Sequence, residues 1–127
     1  MMNNAASIVP PRKVSKPWGH ELIFAHTDRY VGKILVIEPG HSLSRQYHEV
    51  KDETLYVQDG TLRLELGFEE TLRVQDVPAG SSFRIKPGVI HRFTATERVV
   101  LLEVSTSEMD DVIRLEDEYG REGTSHP

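Results

Sequence analysis

The sequence predicts a single all-β domain, either a sandwich or a small closed barrel. Three observations carry this. The apolar stretches are short and several alternate with a period of two, so that Leu62, Leu64 and Leu66 share one face while Arg63 and Glu65 share the other. Turn signals recur at close intervals, at Glu38-Pro39-Gly40, Gln58-Asp59-Gly60, Val77-Pro78-Ala79-Gly80 and Lys86-Pro87-Gly88. The 127 residues suit one hydrophobic core and are short for two.

Taken in order, residues 1–13 have no period and carry Asn3, Asn4, Pro10 and Pro11. They are expected to form a loose arm, or an edge strand around Ser7–Val9 ordered by a partner. A domain over 14–121 follows. Its strands are expected near Glu21–Ala25, Tyr30–Ile37, Ser44–His48, Thr54–Val57, Thr61–Leu66, Thr71–Val74, Ser82–Ile85, His91–Thr94 and Val99–Val104. Ile34–Ile37 and Val99–Val104 are nearly continuous apolar, as for strands covered on both faces. Ser107 is a candidate cap for a short helix, with Glu108, Asp110 and Asp111 in its first turn and Val112, Ile113 and Leu115 on its apolar side. Such a helix cannot stand alone and has to dock on the β body. The end of the chain, from Gly120, reads as disordered, with residues 122–127 outside the domain.

Composition removes whole classes of function. There are 15 Lys plus Arg against 20 Asp plus Glu, a net charge of −5, with six His and no Cys. Without Cys there is no disulfide framework, thiolate metal site or thiol nucleophile. The acidic balance argues against nucleic-acid binding, which needs a basic face. No apolar run approaches the roughly 20 residues of a membrane span, and the N-terminus lacks a signal pattern, so a cytoplasmic protein is expected.

The strongest chemical pattern is Gln46, His48 and Glu53, followed by His91 in Pro87-Gly88-Val89-Ile90-His91. Gln46 and His48 lie two apart in a strand and share a face. Glu53 is an odd step from His48, so the polar Glu49–Asp52 segment has to turn or bulge to return it to the same interior. Two imidazole nitrogens and two oxygens suit one divalent ion, Zn, Mn, Fe, Co or Ni. On spacing alone, hydrogen-bonded core histidines explain the pattern equally well.

The layout Gly40, Gln46-x-His48, Glu53, Gly60, then Gly80 and Pro87-Gly88-x-x-His91, resembles the two cupin motifs, with Gln46 in place of the first His and one extra residue between Gly80 and Pro87. More narrowly, the chain resembles the C-terminal cupin domain of type II mannose-6-phosphate isomerases, often fused to a mannose-1-phosphate guanylyltransferase. The matching pieces include Lys16-Pro17-Trp18-Gly19, Tyr30-Val31-x-Lys33, Leu43-Ser44-x-Gln46-x-His48, Gly88-Val89-Ile90-His91-Arg92 and Asp111-Val112-Ile113-Arg114-Leu115-Glu116-Asp117-Glu118-Tyr119-Gly120-Arg121. The resemblance covers about Val14 to Arg121. It departs at Lys51, where the family has Arg, and at Thr54-Leu55, where it has His-Trp. No Gly-rich phosphate loop occurs, so a nucleotidyltransferase domain is not expected.

What the resemblance implies is an antiparallel jelly-roll barrel with metal ligands Gln46, His48, Glu53 and His91, and aldose–ketose isomerisation of a sugar phosphate. That reaction needs a cation to polarise the C1 and C2 oxygens, a base to carry a proton, and cationic groups for the phosphate. Lys33, Arg84, Arg92 and Arg114 are the candidates for substrate binding, with Arg121 at the mouth as an electrostatic catalyst. For the base, Lys51 is a candidate only if burial lowers its pKa. Tyr47 has the wrong parity to face inward. His20, His26, His41 and His126 read as solvated surface, and Trp18 as a plug over one end of the barrel. Two other readings stay open, a non-haem Fe(II) oxygenase and a non-catalytic sugar-binding or regulatory cupin. Cupins commonly pair through sheet edges, and Ile8-Val9 is a strand that could be lent to a partner, so a homodimer is expected.

Overall fold

The computed structural model describes residues 6–68 and 71–124. Among them are twelve strands: β1 (Arg12–Lys16), β2 (Gly19–His26), β3 (Val31–Ile37), β4 (Arg45–Tyr47), β5 (Glu53–Asp59), β6 (Thr61–Phe68), β7 (Thr71–Pro78), β8 (Ser82–Ile85), β9 (Ile90–Thr94), β10 (Val99–Ser105), β11 (Ile113–Glu116) and β12 (Gly123–Thr124). They form two six-stranded sheets, ordered β1-β2-β3-β10-β5-β8 and β12-β11-β4-β9-β6-β7. Pairing is antiparallel, as the strand alternation requires.

The period-two pattern places the core between the sheets. Leu35 and Ile37 of β3, Leu55 and Val57 of β5 and Leu101 of β10 face Leu62 and Leu64 of β6 and Phe93 of β9. Burying each such side chain stabilises the fold by about 1.5–3 kcal/mol. Two turns depend on glycine. Gly60 joins β5 to β6 with φ of 79°, and a Cβ there would meet the Arg98 carbonyl oxygen at 2.3 Å. Gly88 has φ of 86° and its N–H donates to the His48 carbonyl at 2.7 Å, which ties the turn before β9 to the end of β4.

Four expectations are corrected. The short helix after Ser107 is absent. The segment is instead closed by tight turns, with Met109 N–H on the Ser107 carbonyl at 2.9 Å and Val112 N–H on the Asp110 carbonyl at 3.0 Å. Ile113 and Arg114 then pair with Tyr47 and Gln46 of β4. The free side of β4 needs a ladder partner, and that demand outweighs a weak helix preference. Arg12 and Lys13, expected within the N-terminal arm, instead open an edge strand, Arg12–Lys16, paired with β2. Gly123–Thr124 pairs with β11, inside the segment expected to be disordered, while residues 125–127 lie outside those described. The outer face of β10 is also less covered than its apolar run suggested, since Val104 is 57% exposed. Among the described residues no helix is long and apolar enough to cross a membrane.

Candidate metal centre

His48 directly follows β4, His91 lies in β9, and Glu53 opens β5 in the opposite sheet. The Glu49–Asp52 segment does turn, and Asp111 holds it there. Its carboxylate accepts the backbone N–H groups of Glu49, Val50 and Lys51 at 3.0, 2.7 and 2.8 Å. Those three bonds hold its carboxyl below the usual range, against the opposing effect of burial. Glu53 is thereby returned to the interior that His48 and His91 face.

His48 Nε2 and His91 Nε2 each lie 3.7 Å from Glu53 Oε1. The three side chains are 2–3% exposed and offer ligand atoms within 4.8 Å of one another. The ring orientations settle their tautomers. His48 Nδ1 meets the Asp111 carbonyl at 2.5 Å and His91 Nδ1 meets the Val89 carbonyl at 2.9 Å. A carbonyl only accepts, so each Nδ1 carries a proton, which leaves Nε2 as the nitrogen each ring can offer to a metal. Both Nε2 atoms are buried with no hydrogen-bond partner among the described residues. Two partnerless imidazole nitrogens converging beside a carboxylate are the donor set a divalent cation takes, and the residues fit that group. Gln46 lines the same cavity, with its Oε1 accepting from Ser44 Oγ at 2.5 Å.

Burial lowers the His91 imidazole from 6.5 to about 4, although Glu53 pulls the other way. A depressed folded-state value means that neutral His91 favours the fold above the unfolded value and that this is lost as protons are taken up. We therefore expect the metal-free protein to hold its stability above pH 6.5 and to lose about 3 kcal/mol between pH 6.5 and pH 4. Urea midpoints across that window measure it, and a flat profile for the metal-free protein would contradict a buried neutral His91.

The wall of the cavity is charged. Lys51 lies between two carboxylates, with Nζ 3.0 Å from Glu53 Oε2 and 3.2 Å from Glu103 Oε2. Burial alone would lower its ammonium, but Glu103 and Glu53 outweigh burial and hold it above its ordinary value. Lys33 lies 3.4 Å from Glu21. Lys16, Arg114 and Arg121 line the same cavity. Arg114 is 8% exposed and its buried Nε has no hydrogen-bond partner among the described residues. Arg121 is held by both oxygens of Asp117, at 2.8 and 3.1 Å.

The structure thus brings Gln46, His48, Glu53, Lys51, Lys33, Arg114 and Arg121 to one cavity wall, with His91 against Glu53. It does not bring Arg84 or Arg92 there. Arg84 is on the outer face of β8, paired with Asp52 at 2.6 and 3.0 Å. Arg92 alternates with the inward His91 and Phe93 and meets Glu116 at 3.2 Å and Glu65 at 3.7 Å. Sequence reasoning missed Lys16, Glu21 and Glu103 as cavity residues. For Glu103 a signal existed: it is the charged member of an apolar strand, in step with Val99 and Leu101, which face the core. Among the remaining histidines, His41 is bonded through Nδ1 to the Tyr119 hydroxyl at 2.7 Å, and His126 lies outside the described residues. Trp18 is buried in the core at 3% exposure.

Comparison with known proteins agrees with this geometry. The chain is 32% identical over 118 residues to the xanthan biosynthesis protein XanB of Xanthomonas campestris pv. campestris, covering 87% of this chain and 24% of that protein. It is 32% identical over 115 residues to mannose-1-phosphate guanylyltransferase ManC of Salmonella typhimurium, covering 87% and 23%. The chain therefore spans about a quarter of the length of the curated relatives it matches. Among solved structures, the capsular polysaccharide assembling protein CapF of Staphylococcus aureus superposes with a TM-score of 0.74 at 18% identity, over 84% of this chain and 34% of that one. The family model described as "Cupin domain" matches residues 33–105, the stretch that holds every residue of the metal cluster, and the chain belongs to the cupin family.

Proposed function

We propose that the protein is a metal-dependent sugar-phosphate isomerase that interconverts mannose-6-phosphate and fructose-6-phosphate. The observation that carries this is one cavity holding both an imidazole–carboxylate metal set and a group of cations, Lys16, Lys33, Arg114 and Arg121. Likeness to the matching part of proteins named for mannose-1-phosphate chemistry supports the sugar. His48, Glu53 and His91 would hold the cation, with Gln46 beside them. A divalent cation supplies Lewis-acid polarisation of neighbouring carbonyl and hydroxyl oxygens. Arg114 and Arg121 offer a forked set of donors for the phosphate. Lys51 is not the base in this arrangement, because two carboxylates keep it an ammonium ion. It is held between Glu53 and Glu103 instead.

The expected result is turnover of mannose-6-phosphate by metal-loaded protein, stopped by chelator and restored by one of Zn, Mn, Fe, Co or Ni after elemental analysis of the purified protein. The engagement of Lys51, Glu53 and Glu103 with one another favours a second reading, a sugar-binding or regulatory cupin. Sugar-phosphate-induced thermal stabilisation without turnover selects it. Oxygen uptake with Fe(II) in place of isomerisation selects an oxygenase. A cytoplasmic homodimer using the exposed Ile8-Val9 segment belongs to the same proposal, and a solution mass of one chain rejects the dimer.

A further inference from the structure

Glu53 divides its two oxygens. Oε1 faces the two histidine Nε2 atoms, while Oε2 lies 3.0 Å from Lys51 Nζ. Lys51 is 5% exposed and is itself anchored from behind by Glu103, 4% exposed, at 3.2 Å. Glu103 comes from the middle of β10, where it lies in register with Leu55 of β5 and Lys33 of β3. Three buried charges from three places in the chain therefore stand in a row behind the metal cluster, alternating in sign and ending on one oxygen of one ligand.

We propose that Lys51 and Glu103 are positioning residues that make Glu53 a one-oxygen ligand. Lys51 occupies Oε2 and so leaves only Oε1 to the cation, which keeps further coordination positions free for substrate oxygens. Glu103 has a distinct task. An ammonium ion this close to a divalent cation repels it and draws charge from Glu53. A carboxylate that accepts from the ammonium offsets that field while leaving its ion pair with Glu53 intact. Neither residue need touch the metal or the sugar. This rests on the metal reading of the site and not on the isomerase reaction.

Co(II) titration and the infrared spectrum of the carboxylates test it, the latter taken as the difference between metal-loaded and metal-free protein. Wild-type protein is expected to bind Co(II) and to show the wide separation of carboxylate stretches of one-oxygen ligation. Glu103→Gln keeps the shape and removes the charge, and it is expected to weaken Co(II) binding 10- to 100-fold, the range typical of partners behind a metal ligand. Lys51→Met combined with Glu103→Gln removes one charge of each sign, so a single buried carboxylate remains where Lys51→Met alone would leave two. In that double variant the carboxylate separation is expected to narrow as Oε2 joins the cation. Lys51→Arg keeps the cation and is expected to restore the wild-type spectrum. A folded Glu103→Gln that binds Co(II) as tightly as wild type overturns the role of Glu103. A double variant with the wild-type carboxylate spectrum overturns the role of Lys51. Wild-type protein that takes up no Co(II) overturns the metal reading itself and this inference with it, whereas failure of the isomerase assay alone leaves both standing.

Discussion

Glu53→Ala is expected to strip the protein of its divalent metal. Glu53 is the anionic member of the cluster, and its Oε1 lies 3.7 Å from both imidazole Nε2 atoms. Without it the two imidazoles remain, near a Lys51 ammonium that has lost one of its two carboxylates. At about 4 Å, unit charges near a protein surface interact by about 4 kcal/mol, so replacing an attraction by a repulsion weighs heavily. Losing a partner behind a ligand typically weakens metal binding about 10- to 100-fold, and losing the charged ligand itself should reach the order of 10³-fold. Elemental analysis after gel filtration, beside wild-type protein, measures it. Near-stoichiometric metal in the variant would place the ion elsewhere. Isomerase turnover is expected to vanish with the metal.

The second large effect is on stability. Lys51→Met leaves Glu53 and Glu103 buried together with no cation between them, at 3% and 4% exposure. Breaking a buried ion pair by removing one partner destabilises by about 3–5 kcal/mol, since the uncompensated charge remains in a medium that solvates it poorly. The pH dependence identifies the cause. In wild-type protein the Lys51 value is raised, so its contribution is present below the ordinary lysine range and is lost only at strongly alkaline pH. In the variant the two carboxylates gain stability by taking up protons, so the deficit should be largest above pH 7 and shrink toward roughly pH 4–5, where unfolded glutamate also titrates. Urea unfolding at pH 5 and pH 8 separates the cases. A deficit that does not change with pH would point to lost packing instead of lost charge.

Much of the site was legible because a strand alternates strictly. Parity predicted that Gln46 and His48 share a face and that Glu49–Asp52 has to turn for Glu53 to join them, and the turn is there. The same rule extends to the cations. Arg92 lies between His91 and Phe93, and Arg84 beside the inward Ile85, so alternation already put both on the outside. Lys33 and Glu103 interrupt apolar strands in step with core residues, which marks them as buried charges. Asp111 was not legible. Its partners are backbone N–H groups about sixty residues away, and its acidic neighbours imitate the first turn of a helix. The pairing of β11 with β4 was hidden for the same reason, since nothing local announces which strand edge a short segment will join.

Glu53 begins a strand of one sheet, whereas His91 lies in a strand of the other and His48 directly follows one. A bound ion is then a cross-link between the two layers, added to the apolar contacts of the core. Ligation and folding share one equilibrium, and an ion present at a thousand times its dissociation constant adds about 4 kcal/mol to stability. The resistance of the fold to urea is therefore expected to rise with metal concentration, so the ion acts as a fastener as well as a reagent.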